Sequence, residues 1–434
     1  MELSLGFHMV FAAVGMAMPL MMVIAEWRAM RHADADARRL ARTWSRVTAV
    51  IFAIGAVSGT ALSFELGLLW PRFMVFAGPL VGPAFALEGY AFFVEAIFLG
   101  LYLYGWERLA PRTHWLCGWA VAISGIASGV LVLAVNAWMQ HPVGFTLDAS
   151  GAPTNVDPAA LFTNPAWAAL GAHSTLSTFQ AVGFAAAGAY AFSLWRNRTP
   201  HLAAYQRGGL AIAMLVATGP ALAQPVVGDA LAKRAYVGQP AKLAAMESHF
   251  VTERRASLLI GGIPDLEAQT VRYAIAIPGF LSFMSASDFD AEVRGLQEFP
   301  RADWPNVIVM HVAFQAMVAC GGVMLIVAMW YWWWRWRHRS DQEEMPSPLP
   351  RGLLLGLVVC APLGFIALEA GWVVTEAGRQ PWVIYGIMRT ADAVTPVESV
   401  GGSLALFTAL YATLLVILIA FLYRLPRDEA RGVH

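Results

Sequence analysis

This sequence predicts an all-α, polytopic membrane protein, and three observations carry the prediction. The 434 residues are 58% hydrophobic and only 13% charged, which suits burial in lipid better than an oversized soluble core. Nine apolar runs reach the roughly 20 residues that a helix needs to cross the ~30 Å hydrocarbon layer. Arginine is concentrated in alternate connections between those runs.

The runs cover about 3–25, 47–70, 84–106, 115–139, 166–195, 207–227, 304–334, 352–376 and 400–423. Helices are the expected form, because lipid offers no partner for an open backbone. Asn164 before Pro165 and Asp303 before Pro305 are suitable starts, since proline's missing N–H costs little in a first turn. The first run has no basic region before it, which argues against a cleaved signal peptide. Arg28, Arg31, Arg38, Arg39, Arg42 and Arg46 follow the first run. Arg108 and Arg112, then Arg196, Arg198 and Arg207, then Arg335, Arg337, Arg339 and Arg351, and finally Arg424, Arg427 and Arg431 fall on the same side. The positive-inside rule then places the N-terminus outside and the C-terminus inside. The expected organisation is a single membrane domain: helices one to six in 1–228, an outer segment in 229–302, and helices seven to nine in 303–434. An outer connection that long signals function or disorder. Its "KLAAMESHF" and "FDAEVRGL" stretches read as short surface helices.

A net charge of zero gives no sign of a nucleic-acid partner. Cys117, Cys320 and Cys360 lie in apolar runs without pairing spacing and read as packing residues. Of the ten histidines only His8, His173 and His311 fall within runs; His114 is assigned to a connection. An imidazole in lipid needs a partner, either another helix or a haem iron. His173 lies eight residues past Pro165 and Met317 twelve past Pro305, so they sit ~12 and ~18 Å down their helices. An imidazole and a thioether at those depths can approach one haem from opposite faces, with His311 as the rival ligand. Glu88 and Glu95 share a helix face ~10 Å apart, and Glu369 and Glu376 repeat the spacing. Stacked buried acids suggest a proton relay or, alternatively, hydrogen-bonded structural acids. Glu65 reads as an interface residue.

The strings "LEGYAFFVEAIFLGLYLYGW" (Leu87 to Trp106), "VNAWMQHP" (Val135 to Pro142), "KLAAME" (Lys242 to Glu247) and "GWVVTEAGRQPW" (Gly371 to Trp382) follow one another in this chain. In that order they resemble subunit I of cytochrome bd-type quinol oxidases, of the short quinol-loop kind, over essentially the whole length. The resemblance implies that His173 and Met317 are axial ligands of a low-spin haem b. It implies that His8 and Glu376 serve the paired high-spin haems, a haem b and a haem d or further haem b, where oxygen is reduced. Glu88 and Glu95 become acids on the proton route, Trp372 an aromatic between haems, and Arg379 and Gln380 part of the haem-lining string. Lys242 and Glu247, a solvated helix face when read alone, become the charged pair for quinol oxidation, so that 229–302 is the quinol loop. Many members of that family carry an arginine where this chain has Gln315; that arginine favours the reduced low-spin haem. A subunit II, a small single-helix subunit and a bacterial inner membrane are implied as well, with quinol and oxygen as substrates. Two other readings remain: a proton-coupled transporter, and a haem-b electron-transfer protein without oxygen reduction.

Overall fold

The computed structural model describes residues 1–196, 200–338, 348–395 and 401–431. Arg198, Arg339 and His434 lie outside the described residues, as do the side chains of His201, Arg424, Arg427 and Arg431. The helices are α1 (Glu2–His32), α2 (Ala35–Leu69), α3 (Pro71–Tyr104), α4 (Pro111–Gln140), α5 (Ala160–Thr163), α6 (Pro165–Arg196) and α7 (Pro200–Gly238). They continue as α8 (Pro240–Glu247), α9 (Phe280–Ala286), α10 (Val307–Arg337), α11 (Arg351–Ala377), α12 (Thr390–Ala393) and α13 (Gly401–Arg431). Among the described residues, eight of these are long and apolar enough to cross a membrane. The remaining long helix, α6, coincides with the predicted fifth run but carries His173, Ser174, Thr175, Ser177, Thr178 and Gln180.

Helices outrun the apolar segments because hydropathy marks lipid exposure, whereas helical hydrogen bonding continues wherever the local sequence permits it. The arginine-rich connection after the first run is therefore mostly helix. "ADARRLARTW" opens α2, and the Asp34 carboxylate caps it by accepting the Ala37 N–H at 3.0 Å. α3 starts well before the predicted 84 and contains Pro79 and Pro83. α7 runs to Gly238, ten residues beyond the expected boundary at 228. α6 begins at Pro165 as expected, and Asn164 accepts the Ala166 N–H at 2.9 Å. At α10 the cap is Asn306, not Asp303, and it holds the Val309 N–H at 3.2 Å.

Between α7 and α10 the chain forms the short helix α8 and small antiparallel pairs. Leu258–Ile260 pairs with Ile275–Ile277, and Ile263–Asp265 with Thr270–Arg272. The "FDAEVRGL" stretch is not helical. Asp288 takes the Asp290 N–H into a turn at 2.9 Å, and Glu292–Val293 then pairs with Glu253–Arg254, burying Val293.

Contacts divide the chain into two units. One comprises Met1–Val75, Glu88–Gly129 and Val394–His434; the other comprises Phe76–Leu87 and Val130–Ala393. In the first, α1 packs along α2, and Phe7, Phe11, Ile51, Ile54 and Tyr411 join them to α13. In the second, α11 packs against both α6 and α10. Gly364 and Gly188 permit the α6 contact, since a Cβ on either would come within 2.5 Å of an alanine on the opposite helix. Cys117 and Cys360 are buried and all three cysteines are free.

Candidate functional site

The first unit holds His8, Glu88 and Glu95. The His8 Nδ1 lies 3.0 Å from the Ser58 hydroxyl, and its ring rests over Gly59, where a Cβ would come within 2.9 Å of Cε1. On α3 the Ser128 hydroxyl of α4 donates to Glu88 at 3.0 Å. Glu95, 5% exposed, fits against Gly125, whose added Cβ would lie 3.2 Å from its carboxylate, and faces Gly15 of α1. Glycines on two neighbouring helices thus make room for a carboxylate that a larger residue would displace. Glu65, expected at an interface, is buried instead and accepts the Ser4 hydroxyl at 2.5 Å.

Sequence reasoning missed a third polar level in this unit. His114 is not in a connection; it lies in the first turn of α4, buried against Glu26 of α1. Its Nδ1 lies 2.7 Å from Glu26 Oε1 and its Nε2 donates to the Tyr102 carbonyl at 2.8 Å. A carbonyl only accepts, so Nε2 carries hydrogen, and Nδ1 faces the Glu26 carboxyl group. Tyr102 stands seven residues beyond Glu95, as Glu95 does beyond Glu88, and that repeated spacing was the available signal. His114→Ala strands the Glu26 carboxyl group and is expected to cost about 3–5 kcal/mol, read as a lowered thermal midpoint in detergent. Glu26→Gln keeps an oxygen facing Nδ1 and is expected to lose less.

The second unit holds His173, Met317, Trp372, Glu376, Arg379, Gln380, Lys242 and Glu247. Here three of the sequence strings meet. Asn136 donates to Glu376 at 2.6 Å, and Arg379, 3% exposed, donates to the other carboxylate oxygen at 2.6 Å. The Lys242 ammonium donates to Gln140 Oε1 at 3.1 Å and to the Thr375 carbonyl at 3.3 Å. Gln140 also donates to that carbonyl at 3.1 Å, so the end of α4, α8 and the end of α11 share one polar knot. Gly378 allows this approach, for a Cβ there would fall 2.8 Å from the Lys242 stem. Gln380 faces the following loop and accepts the Thr390 hydroxyl at 2.7 Å.

Lys242 and Glu247 are not a solvated face: Lys242 is half-buried and Glu247 buried. Burial, with the Arg379 guanidinium adding to it and Glu376 opposing, lowers the Lys242 pKa to about 7. Burial raises that of Glu247 to about 8.

His173 and Met317 lie on α6 and α10, both of which flank α11. The Gln224 amide nitrogen is 3.3 Å from His173 Nε2, while His173 Nδ1 is buried without a protein partner. The Met317 sulfur fits against Gly371, where a Cβ would stand 3.1 Å away. An imidazole nitrogen free of protein partners and a thioether over a glycine suit axial ligation. His311 does not: both its ring nitrogens face backbone carbonyls, at 3.1 and 3.0 Å.

A family model described as cytochrome bd terminal oxidase subunit I matches residues 1–430. The chain belongs to that family. This cytochrome bd subunit I is 35% identical over 431 residues to a Bacillus subtilis (strain 168) protein provisionally named cytochrome bd menaquinol oxidase subunit I, covering 98% of this chain and 96% of the relative. It is 28% identical to the cytochrome bd ubiquinol oxidase subunit 1 of the same organism, covering 96% and 90%. The bd oxidase structure from Geobacillus thermodenitrificans superposes with a TM-score of 0.90 at 36% identity, covering 98% of this chain and 96% of that one. Cytochrome bd subunit I is a bacterial membrane protein, a haem-containing part of a multi-subunit respiratory terminal oxidase.

Proposed function

We propose that this chain oxidises quinol at its 229–302 segment and reduces oxygen to water at haems held by His8, His173, Met317 and Glu376. The observation that carries this reading is the polar knot in which Lys242 of that segment reaches Gln140 and Thr375, beside the Glu376–Arg379 pair. His173 and Met317 would hold low-spin haem b. His8 and Glu376 would serve the high-spin haem b and the haem d, or further haem b, with Trp372 as the aromatic assigned to them. The bound haems supply electron transfer and an open iron position for oxygen. Arg379 offers its remaining N–H groups to a propionate, and its Nη1, buried without a partner, supports that role.

The N-terminus faces outside and the C-terminus inside, with nine helices crossing. Quinol protons leave at the outer face, while Glu95 and then Glu88 pass protons from the inside toward the oxygen site. Charge is thereby separated without a pump. Subunit II, and a small single-helix subunit, complete the complex. The reading is tested on the purified oxidase by a reduced-minus-oxidised spectrum and by quinol-driven oxygen uptake. Absence of haem would return the chain to the transporter reading, and haem without oxygen uptake would favour an electron carrier. Glu95→Gln is expected to slow turnover by roughly 10²-fold or more with haem content intact; unchanged uptake removes the relay.

Lys242 and Glu247 also fix a pH dependence. Above about 7 the amine is mostly neutral and above about 8 the carboxyl is ionised, so both become proton acceptors as pH rises. Quinol oxidation at saturating quinol is therefore expected to rise with pH through this interval. Glu247→Gln should flatten the upper part of the rise, measured as initial oxygen uptake against pH.

A further inference from the structure

Two polar side chains, one turn apart on α10, face the loop. His311, with no exposed surface, sets Nδ1 3.1 Å from the Met246 carbonyl and Nε2 3.0 Å from the Gly261 carbonyl. Gln315, four residues on and hence on the same face, accepts the Gly261 N–H at 3.0 Å and donates to the Leu259 carbonyl at 3.0 Å. A carbonyl only accepts, so the neutral imidazole fills one of its two bonds and the imidazolium both.

We infer that His311 and Gln315 are a dock that fastens the quinol loop to α10, a positioning role that rests on the reading of 229–302 as that loop. The two residues hold the loop at two places. One is the end of α8, where Met246 immediately precedes Glu247. The other is the turn at Gly261 and Gly262, which have φ values of +68° and +90°. Glycine enters that region without steric cost, and the turn presents both backbone groups of Gly261 to the helix. Such groups need partners when buried, and an otherwise apolar stretch at the start of the helix supplies them with these two side chains. Gln315 precedes Met317 by two residues, ~3 Å of helix rise. One rigid element therefore sets both the loop that carries Lys242 and Glu247 and the thioether assigned to the low-spin iron.

The dock is tested in the assembled oxidase with Gln315→Leu, and with Gly261→Ala as a variant that disturbs the turn without touching α10. No atom lies within 4 Å of an added Cβ at Gly261, so its effect comes from φ alone. Losing two hydrogen bonds to the loop is expected to raise KM for decylubiquinol or a short-chain menaquinol about tenfold. Maximal turnover and the low-spin haem spectrum should change by less than about twofold. Amide exchange across residues 255–265 should accelerate in both variants. Unchanged KM and unchanged exchange would overturn the dock, as would a shifted low-spin spectrum at constant KM, which would return Gln315 to the haem. Accelerated exchange in an enzyme whose unmodified form ignores quinol would support the dock and remove the quinol reading.

Discussion

Glu376→Ala is expected to abolish quinol-driven oxygen uptake, lower the haem content and destabilise the protein. Three consequences follow from one carboxylate. The Arg379 guanidinium, 3% exposed, loses its ionic partner and is left as a buried unpaired charge, a change that costs about 3–5 kcal/mol. Asn136 loses its acceptor, adding about 1–3 kcal/mol for an unsatisfied buried amide. The assigned iron ligand disappears as well. Glu376→Gln separates these effects, because an amide oxygen can still accept one bond while the charge and ligand are gone. Haem per polypeptide, oxygen uptake and the thermal midpoint should fall together in the alanine variant. In the glutamine variant the first two should fall more than the third. If haem content and uptake survive in both, Glu376 serves only to neutralise Arg379.

What could be read from the sequence divides along physical lines. Apolar length located the long helices, because lipid burial imposes it residue by residue, and the helical spacing correctly put Glu88 and Glu95 on one face. Helix ends were misplaced at α2, α3 and α7, where polar but helix-compatible residues carry the hydrogen bonding past the apolar segment. Lys242 and Glu247 looked solvated because an eight-residue helix with a lysine and a glutamate is amphipathic by itself; only its docking against Gln140, Thr375 and α10 buries them. His114 and Glu26 are 88 residues apart in sequence, so their contact leaves no local pattern, and His114 was placed outside the helix that holds it. Gln315 appeared as a loss relative to an arginine in many relatives, whereas its amide bonds a backbone N–H and a backbone carbonyl of the loop. The resemblance supplied roles for His8, His173, Met317 and Glu376; the fold explains why their neighbours are Gly59, Gly371 and Arg379.

Met317→Leu is expected to remove the six-coordinate low-spin spectrum while leaving the fold nearly intact. Leucine conserves volume, and such swaps in a packed position cost under about 1.5 kcal/mol. α10 and α11 should therefore remain packed, with Gly371 still accommodating the side chain. What leucine cannot supply is the sulfur lone pair, and a haem iron with His173 alone is five-coordinate and high-spin. Electron delivery from quinol should fall on the order of 10–100-fold or more, the scale seen when even the surroundings of a metal ligand are altered. Gly371→Ala tests the same point from the opposite helix. It leaves the thioether in place but sets a Cβ 3.1 Å from the sulfur, and a partial shift toward high spin is expected. A retained six-coordinate spectrum in Met317→Leu would require another ligand, and His311 is a poor substitute because both its ring nitrogens face loop carbonyls. The spectrum of the double variant Met317→Leu, His311→Phe then decides whether α10 supplies the axial ligand at all.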